Sequence, residues 1–519
     1  MIDTFTPAAA TRSGLAVLAC LAAFSAPARA DLTAADVWEQ WRDYLEGFGY
    51  MVTADESGSG DTLVIDNLKM TISMEEGGGT STVTMNMGQM TLTGMPDGSV
   101  DISLPASLPM SLVVDGVASE EPVKVDLDYT TAGFAMKASG TPEATTYTYS
   151  ADSIGIVLKG VEAEGKPMDL GTVDFTLAGI EGVTAMETEN GTSAQQRMSA
   201  ESLNYTVDIT SPDPAEPGTL KMTGMASGLS FDGTFDIPDG VDLNDMAAAL
   251  KAGYGMDGAF VYEGGNSSLS FDDGADSFTS QSSSSGGEVG FAMDIDGLSY
   301  SVRSDDTKIS VAGSSIPFPV VIESTELGLH LALPVAQSDE MKTFAAGLTL
   351  AEVSIPAELW MAFDPTGKLP HDPVTISLDL SGVGRLFVDL FDEKQMVQLG
   401  STGGTPGEVQ SVKLENLLVE ALGASIEAVA DLDVDNNAMS PLGPFPNVFG
   451  TANINLIGVK SLLSTLSDMG LVPPGQAMMA SGMISELAEQ VSGPDDLAAE
   501  IVLSPQGALS VNGKTIPLQ

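Results

Sequence analysis

Thiol chemistry has almost nothing to work with in this chain, whose only cysteine is Cys20. A single thiol closes no internal disulfide, so stability has to come from buried area and backbone pairing. Histidine is nearly as scarce, with only His330 and His371. No G-x-S-x-G or S-x-x-K stretch occurs, so the common settings of a serine nucleophile are missing too. Basic residues number 20 against 72 acidic ones, for a formal net charge of −52. Such a surface repels phosphate backbones, which argues against nucleic-acid binding. It also repels anionic headgroups, so an anionic membrane would be met only through divalent cations or a neutral apolar face. The bland use of this acidity is to keep an exported protein soluble.

The first 30 residues read as a secretory signal peptide. Arg12 supplies the positive start, Gly14 to Phe24 the apolar run, and Ala28-Arg29-Ala30 a small-x-small cleavage site. That run is too short to span a bilayer as a helix, and nothing downstream supplies a second span. Val17-Leu18-Ala19-Cys20 is a weak lipobox that would make the chain a lipoprotein instead. Its apolar lead is short and no polar tether follows, so cleavage after Ala30 and a periplasmic address are expected.

Five stretches follow from the patterning: the signal peptide at 1–30, an amphipathic helix at 31–50, a first β module at 51–252, a second at 253–400, and a β/helical segment at 401–519. In the helix, Thr33 and Asp36 form an Asp variant of the capping box. Val37, Trp38, Trp41, Tyr44, Leu45 and Phe48 recur at helical spacing, and Gly47 and Gly49 end it. Its expected role is to cap one end of the β body. The sharper alternative is that its aromatic residues dock an envelope protein partner.

From Asp61 the period is two. Leu68, Met70, Ile72 and Met74 alternate with polar residues, as do Val83, Met85 and Met87, and Val123, Val125, Leu127 and Tyr129. That predicts sheet with one apolar and one wet face. Gly77-Gly78-Gly79, Pro96-Asp97-Gly98, Asp232-Gly233 and Asn436-Asn437 read as turns. A short phrase recurs, an apolar residue and two polar ones followed by Leu or Ile. It opens at Ile65, Ala151, Ala200, Ile295 and Leu414, and predicts a bend before the strand rejoins the sheet. Val125–Lys159 and Ala259–Arg303 look like a weak duplication. Leu243–Ala252 reads as a helix, Gly264–Gly287 as a flexible loop or hairpin tip, and Gly400–Gly407 as a turn. Val459–Met469 and Gln476–Val491 read as helices, with Pro473-Pro474 opening the second. Strands at Glu500–Leu503, Ala508–Val511 and Thr515–Leu518 follow, the last two joined by an Asn512-Gly513 turn. The fold class is therefore mainly β, an elongated or curled antiparallel meander with an N-terminal helix and a few helices near the C-terminus.

In the tail, GTANINLIGVKSLLSTLSDMGLVPP, MISELAEQ and LSPQGALSVNGKTIPL resemble an uncharacterised alphaproteobacterial family, the domain-of-unknown-function group two-one-two-five. ADVWEQWRDYLEGFGY with VIDNLKMTISM is similar to the same family's start. The resemblance implies no activity and no catalytic residues. More distantly, the bend phrase and closing Asn-Gly hairpin resemble AsmA-type envelope proteins. Those curl a long sheet into an apolar groove and are linked to lipid handling, although this sequence carries no anchor span typical of that group.

Sites for chemistry fare poorly. His330 lies between Leu329 and Leu331, so it projects from the polar side of a strand, and His371 sits in a turn before Asp372-Pro373. Asp431, Asp433 and Asp435 imitate a calcium loop, but its sixth and twelfth positions are Asn436 and Leu442 where Gly and Glu are needed. Met85, Met87 and Met90 could offer thioethers to copper, yet their strand spacing is that of core. No catalytic, cofactor-binding or metal residue is assigned. The 26 methionines suit an apolar surface that adapts to variable ligands, and core packing explains them equally well. The leading expectation is a non-enzymatic periplasmic protein presenting an apolar groove to a lipid or other hydrophobic ligand. The second is a structural or adhesive acidic β protein that binds calcium, and a carboxylate hydrolase comes third.

Overall fold

The computed structural model describes residues 32–516, apart from 77–78, 116–121, 164, 213–216, 441–442 and 444. The stretch read as a signal peptide, with Cys20, lies outside the described residues, as do Gly77, Gly78, Leu442 and the closing residues 517–519.

Helix α1 spans Ala34–Gly47. Its capping box forms as expected: Thr33 Oγ1 accepts from the Asp36 N–H at 3.2 Å, and Asp36 accepts from the Thr33 N–H at 2.9 Å. Thirteen strands follow. They are β1 Met51–Ser59, β2 Thr62–Glu76, β3 Gly79–Met87, β4 Met90–Gly94, β5 Val100–Ser103, β6 Ser107–Asp115 and β7 Val123–Ala132. Then come β8 Ala135–Thr141, β9 Ala144–Ala163, β10 Lys166–Met168, β11 Gly171–Glu187, β12 Thr192–Thr210 and β13 Thr219–Ile237. Helix α2 (Met246–Ala252) leads into β14 Gly255–Tyr262, β15 Gly264–Asp272, β16 Ser277–Ser284 and β17 Gly286–Met293. After β18 Leu298–Gly313, β19 Val320–Leu333 and β20 Lys342–Val353 come α3 Ala357–Phe363, β21 Val374–Leu386 and α4 Glu393–Thr402. The chain continues as β22 Gly407–Ala421, β23 Ala424–Met439, β24 Pro446–Ile457, α5 Val459–Asp468 and α6 Pro474–Leu487. It closes with β25 Glu489–Gly493, β26 Asp496–Leu503, β27 Leu509–Val511 and β28 Lys514–Ile516.

All these strands belong to one sheet, and every ladder between them is antiparallel. The fold is the expected β meander, with each long strand paired to the next. In two zones a single place in the sheet is filled by two short collinear strands. Between β2 and β9 one path runs through β3, β6 and β7, and the other through β4, β5 and β8. Between β13 and β18 the places are shared by β14 and β15, then by β17 and β16. Hydrogen bonding continues across residue 252, through β13 and β14, and across residue 400, through β21 and β22. The two stretches that look duplicated differ in content, since 125–159 holds parts of β7, β8 and β9 while 259–303 runs from β14 to β18.

Local chemistry explains where the other elements depart from expectation. Helix α2 starts at Met246 because Asp245 caps it, accepting from the Ala248 N–H at 3.0 Å. Gly264–Gly287 is an ordered hairpin, β15 to β16, in which Ser267 and Ser282 hydroxyls meet at 2.7 Å. Helix α4 ends in the stretch read as a turn, its start fixed by Asp392 accepting from Lys394 and Gln395. The acidic run from Asp431 lies within β23, so it forms no calcium-type loop. In the closing turn Asn512 and Gly513 both take left-handed φ, at 49° and 73°, as a type I′ hairpin requires.

A crease crosses the long strands, and the recurring phrase marks it. Asn67, Gly179, Gly228, Asp306 and Glu352 all have left-handed φ inside strands, between 43° and 61°. Such a residue turns the strand by half its period, so apolar side chains three apart fall on one side. Ile65 and Leu68 accordingly share one buried cluster. Ala151 with Ile154, Leu177 with Ile180, Ala200 with Leu203, and Ala226 with Leu229 share another. The phrases at Ile65, Ala151 and Ala200 sit on this crease. The one at Leu414 sits on a bulge between β22 and β23. The one at Ile295 instead forms the β17–β18 turn, where Asp294 accepts from the N–H groups of Asp296 and Gly297.

Candidate functional site

Residues directly opposite on paired strands share a face of the sheet. Following those pairs outward from Leu63 traces a single row. It runs Leu63, Leu92, Ile102, Met136, Tyr149, Gly182, Met198, Phe231, Phe260 and Val289. It continues through Val302, Leu329, Leu348, Leu378, Leu417, Ala428 and Ile454 to Ala499. No polar side chain interrupts it. With neighbouring strands about 4.8 Å apart, the row follows the sheet for on the order of 80 Å.

Helices cover one part of this face. Val37 and Trp38 of α1 are buried against Leu92, Ile102, Ala138 and Tyr147. The Trp38 indole donates to Glu56 at 2.7 Å, and the Tyr147 hydroxyl donates to Gln40. Burial pushes the Tyr147 phenol well above its ordinary pKa, so it stays protonated and a donor. The aromatic side of α1 therefore faces the sheet, and its exposed positions include Glu39, Asp43 and Glu46. Leu250 and Ala249 of α2 pack beside it with Ile237, Tyr254 and Val335. Lys251 ties that helix to the buried Asp389 carboxylate at 2.5 Å, and the Gln337 N–H donates to the same group at 2.9 Å.

Further along, the face is left open. Tyr300, Leu329, Leu331 and Leu333 are 42, 47, 36 and 38% exposed. The pairs Tyr300–Leu331 and Leu298–Leu333 place them all on the apolar side. Ile156 and Phe175, paired on the same side, are each 39% exposed. Aromatic rings here lie flat across glycines of the next strand. A Cβ on Gly182 would meet the Tyr149 ring at 2.2 Å, and one on Gly382 would meet the Phe344 ring at 2.2 Å. The missing side chains let the rings lie low, so the floor stays shallow and apolar.

The opposite face carries the charge. A hollow of about 1120 Å³ lies there against β8, β9 and β11 to β13. Its walls include Lys137, Thr148, Val183, Arg197 and Asp232, which the register places opposite one another and out of step with Tyr149 and Phe231. Arg197 pairs with Asp232 at 2.6 Å, and Lys137 lies 3.6 Å from Asp97. His330 projects from this polar face as expected, 3.6 Å from Asp379 and beside Ser301 and Gly347 in register.

His371 proves more involved than a turn residue. Its ring stacks on the buried Trp360 of α3 at 4.2 Å, and its Nε2 lies 3.5 Å from Asp364. Asp364 also accepts from the N–H groups of Leu369 at 2.8 Å and Lys368 at 3.1 Å, which hold its carboxyl at about 2. These bonds pin the loop after α3, a structural role. Met87 packs against the core beside Met90, as strand spacing predicts, while Met85 is half-buried outside that cluster. Among the described residues, no three histidine, cysteine or acidic side chains come together as a metal site.

No protein-family model matches this chain, and no curated protein is significantly similar to it. The family likeness of its tail rests on its own phrases alone. The open stretch of the apolar face escaped the sequence because cross-strand register is a long-range property. The alternation showed only that each strand has an apolar side.

Proposed function

We propose that this chain is an exported, periplasmic protein that holds a lipid or other hydrophobic ligand against its apolar face and catalyses nothing on it. One observation carries the reading: an uninterrupted cross-strand apolar row in which Leu329 lies beside Tyr300, Leu331 and Leu333 on the same face, all four between 36 and 47% exposed. Exposed apolar area of this extent marks a surface that something else covers. Covering those four side chains would contribute on the order of 1 kcal/mol each, since each is already about half buried. The flat aromatic floor and the abundant methionine suit acyl chains of varied length. The distant likeness to AsmA-type proteins points the same way. The signal peptide supports the address.

Titration with a naturally fluorescent polyene fatty acid tests this reading. Saturable binding is expected, and Leu329→Asp with Leu331→Asp should weaken it at least about tenfold, because two charges would then sit under the chain. Unchanged binding by that variant would place the ligand elsewhere. An absence of binding by the wild type would remove the proposal.

A further inference from the structure

We propose that the α5–α6 hairpin docks this protein on the surface of a bilayer that carries little net charge. Helix α6 turns Ala477, Ala480, Ser481, Ile484 and Leu487 inward, the first buried and the others half-buried. Its outward side holds Met478, Met479 and Met483, exposed by 76, 63 and 55%, and Leu471 at the hairpin tip is 53% exposed. Three exposed methionines and an exposed tip leucine therefore give the hairpin an apolar outer surface that its own core does not cover. α6 packs chiefly on α5. The base is pinned by polar bonds: Asp495 accepts from the Lys460 and Ser461 N–H groups at 3.0 and 2.8 Å, and Asn512 Nδ2 donates to the Leu487 carbonyl at 2.9 Å.

Charge identifies the occupant. The whole chain carries −52, yet from Val459 to Leu487 the only charged residues are Lys460, Asp468 and Glu486. This is therefore a place where an acidic protein can approach headgroups without strong repulsion, and a neutral zwitterionic surface fits it best. A helix of 14 residues is about 21 Å long, too short for a hydrocarbon core of about 30 Å. No described helix is long and apolar enough to cross a membrane, so α6 would lie in the interface. Unbranched methionines tolerate such a fluid partner. The outward face also lacks the aromatic and arginine anchors that a specific protein interface favours. The proposal stands whether or not the apolar face of the sheet holds a ligand.

The test is vesicle flotation of protein purified from the soluble fraction, its N-terminus read by intact mass. Phosphatidylcholine vesicles should carry the wild type upward. Adding phosphatidylglycerol should weaken binding at low salt, with added salt restoring it. Leu471→Glu with Met479→Glu, both at exposed positions, should lower the bound fraction about tenfold. A separate Leu471→Trp variant should shift its emission to the blue on phosphatidylcholine alone. The proposal fails if the wild type does not float or if the double variant floats equally well. It fails too if light scattering shows a dimer that the double variant dissociates, since a second copy would then be the occupant.

Discussion

Tyr149 and Phe344 lie flat across the sheet only because Gly182 and Gly382 offer no Cβ. Gly182→Ala and Gly382→Ala should each lift a ring off the floor and destabilise the fold by about 1–3 kcal/mol, read by urea unfolding. Tyr149→Ala should absorb most of the Gly182→Ala effect in a double-mutant cycle, and additive costs would mean that ring and glycine are uncoupled. Asp364 makes a pH-dependent prediction. Its carboxyl titrates at about 2 in the fold, below the ordinary value near 3.9. Its contribution is therefore fully present above about pH 4 and disappears as pH falls toward 2. Asp364→Asn should lower the melting temperature at neutral pH, and the two melting curves should converge in acid. At this scale the sequence was partly readable. It put His330 on a polar face, but it gave no sign that His371 stacks on Trp360, because that contact spans α3 and the loop after it.

Several elements with local signals were legible, although Asp232-Gly233 and Asn436-Asn437, which read as turns, lie inside β13 and β23. The capping box of α1, the prolines opening α6 and the Asn512-Gly513 turn each act within a few residues and formed as expected. Helix α6 nevertheless stops at Leu487, and the stretch to Val491, read as helix, joins β25. Helices α3 and α4 are short and lack a long apolar stripe, so periodicity passed over them. The bend phrase was seen but its geometry was not. A shift of phase becomes visible only when Ile154 and Ala151 are found on one side of the sheet. Helix α1 is the element with the clearest energetic role. Trp38→Ala removes a side chain only 3% exposed and should cost about 3–5 kcal/mol in chemical unfolding. It should also open the covered part of the apolar face, measured as increased binding of an environment-sensitive apolar dye. A variant with native stability would show that α1 is an accessory and not a cap.

Taken whole, the described chain is one long antiparallel sheet with charged side chains such as Lys137, Arg197 and Asp232 on one side and a cross-strand apolar row on the other. A sheet of this kind can bury its apolar side by packing a second layer on it. Here α1 and α2 cover part of it, and the stretch across β18 and β19 stays open. The central claim is that a hydrophobic ligand covers the remainder in the cell. Protein purified without detergent from its native compartment should be extracted with organic solvent and the extract analysed by mass spectrometry. The account predicts lipid or another long apolar molecule in fixed proportion to the protein, and much less from the Leu329→Asp, Leu331→Asp variant. Extracts of the two proteins that are equally empty, or equally full, would contradict it.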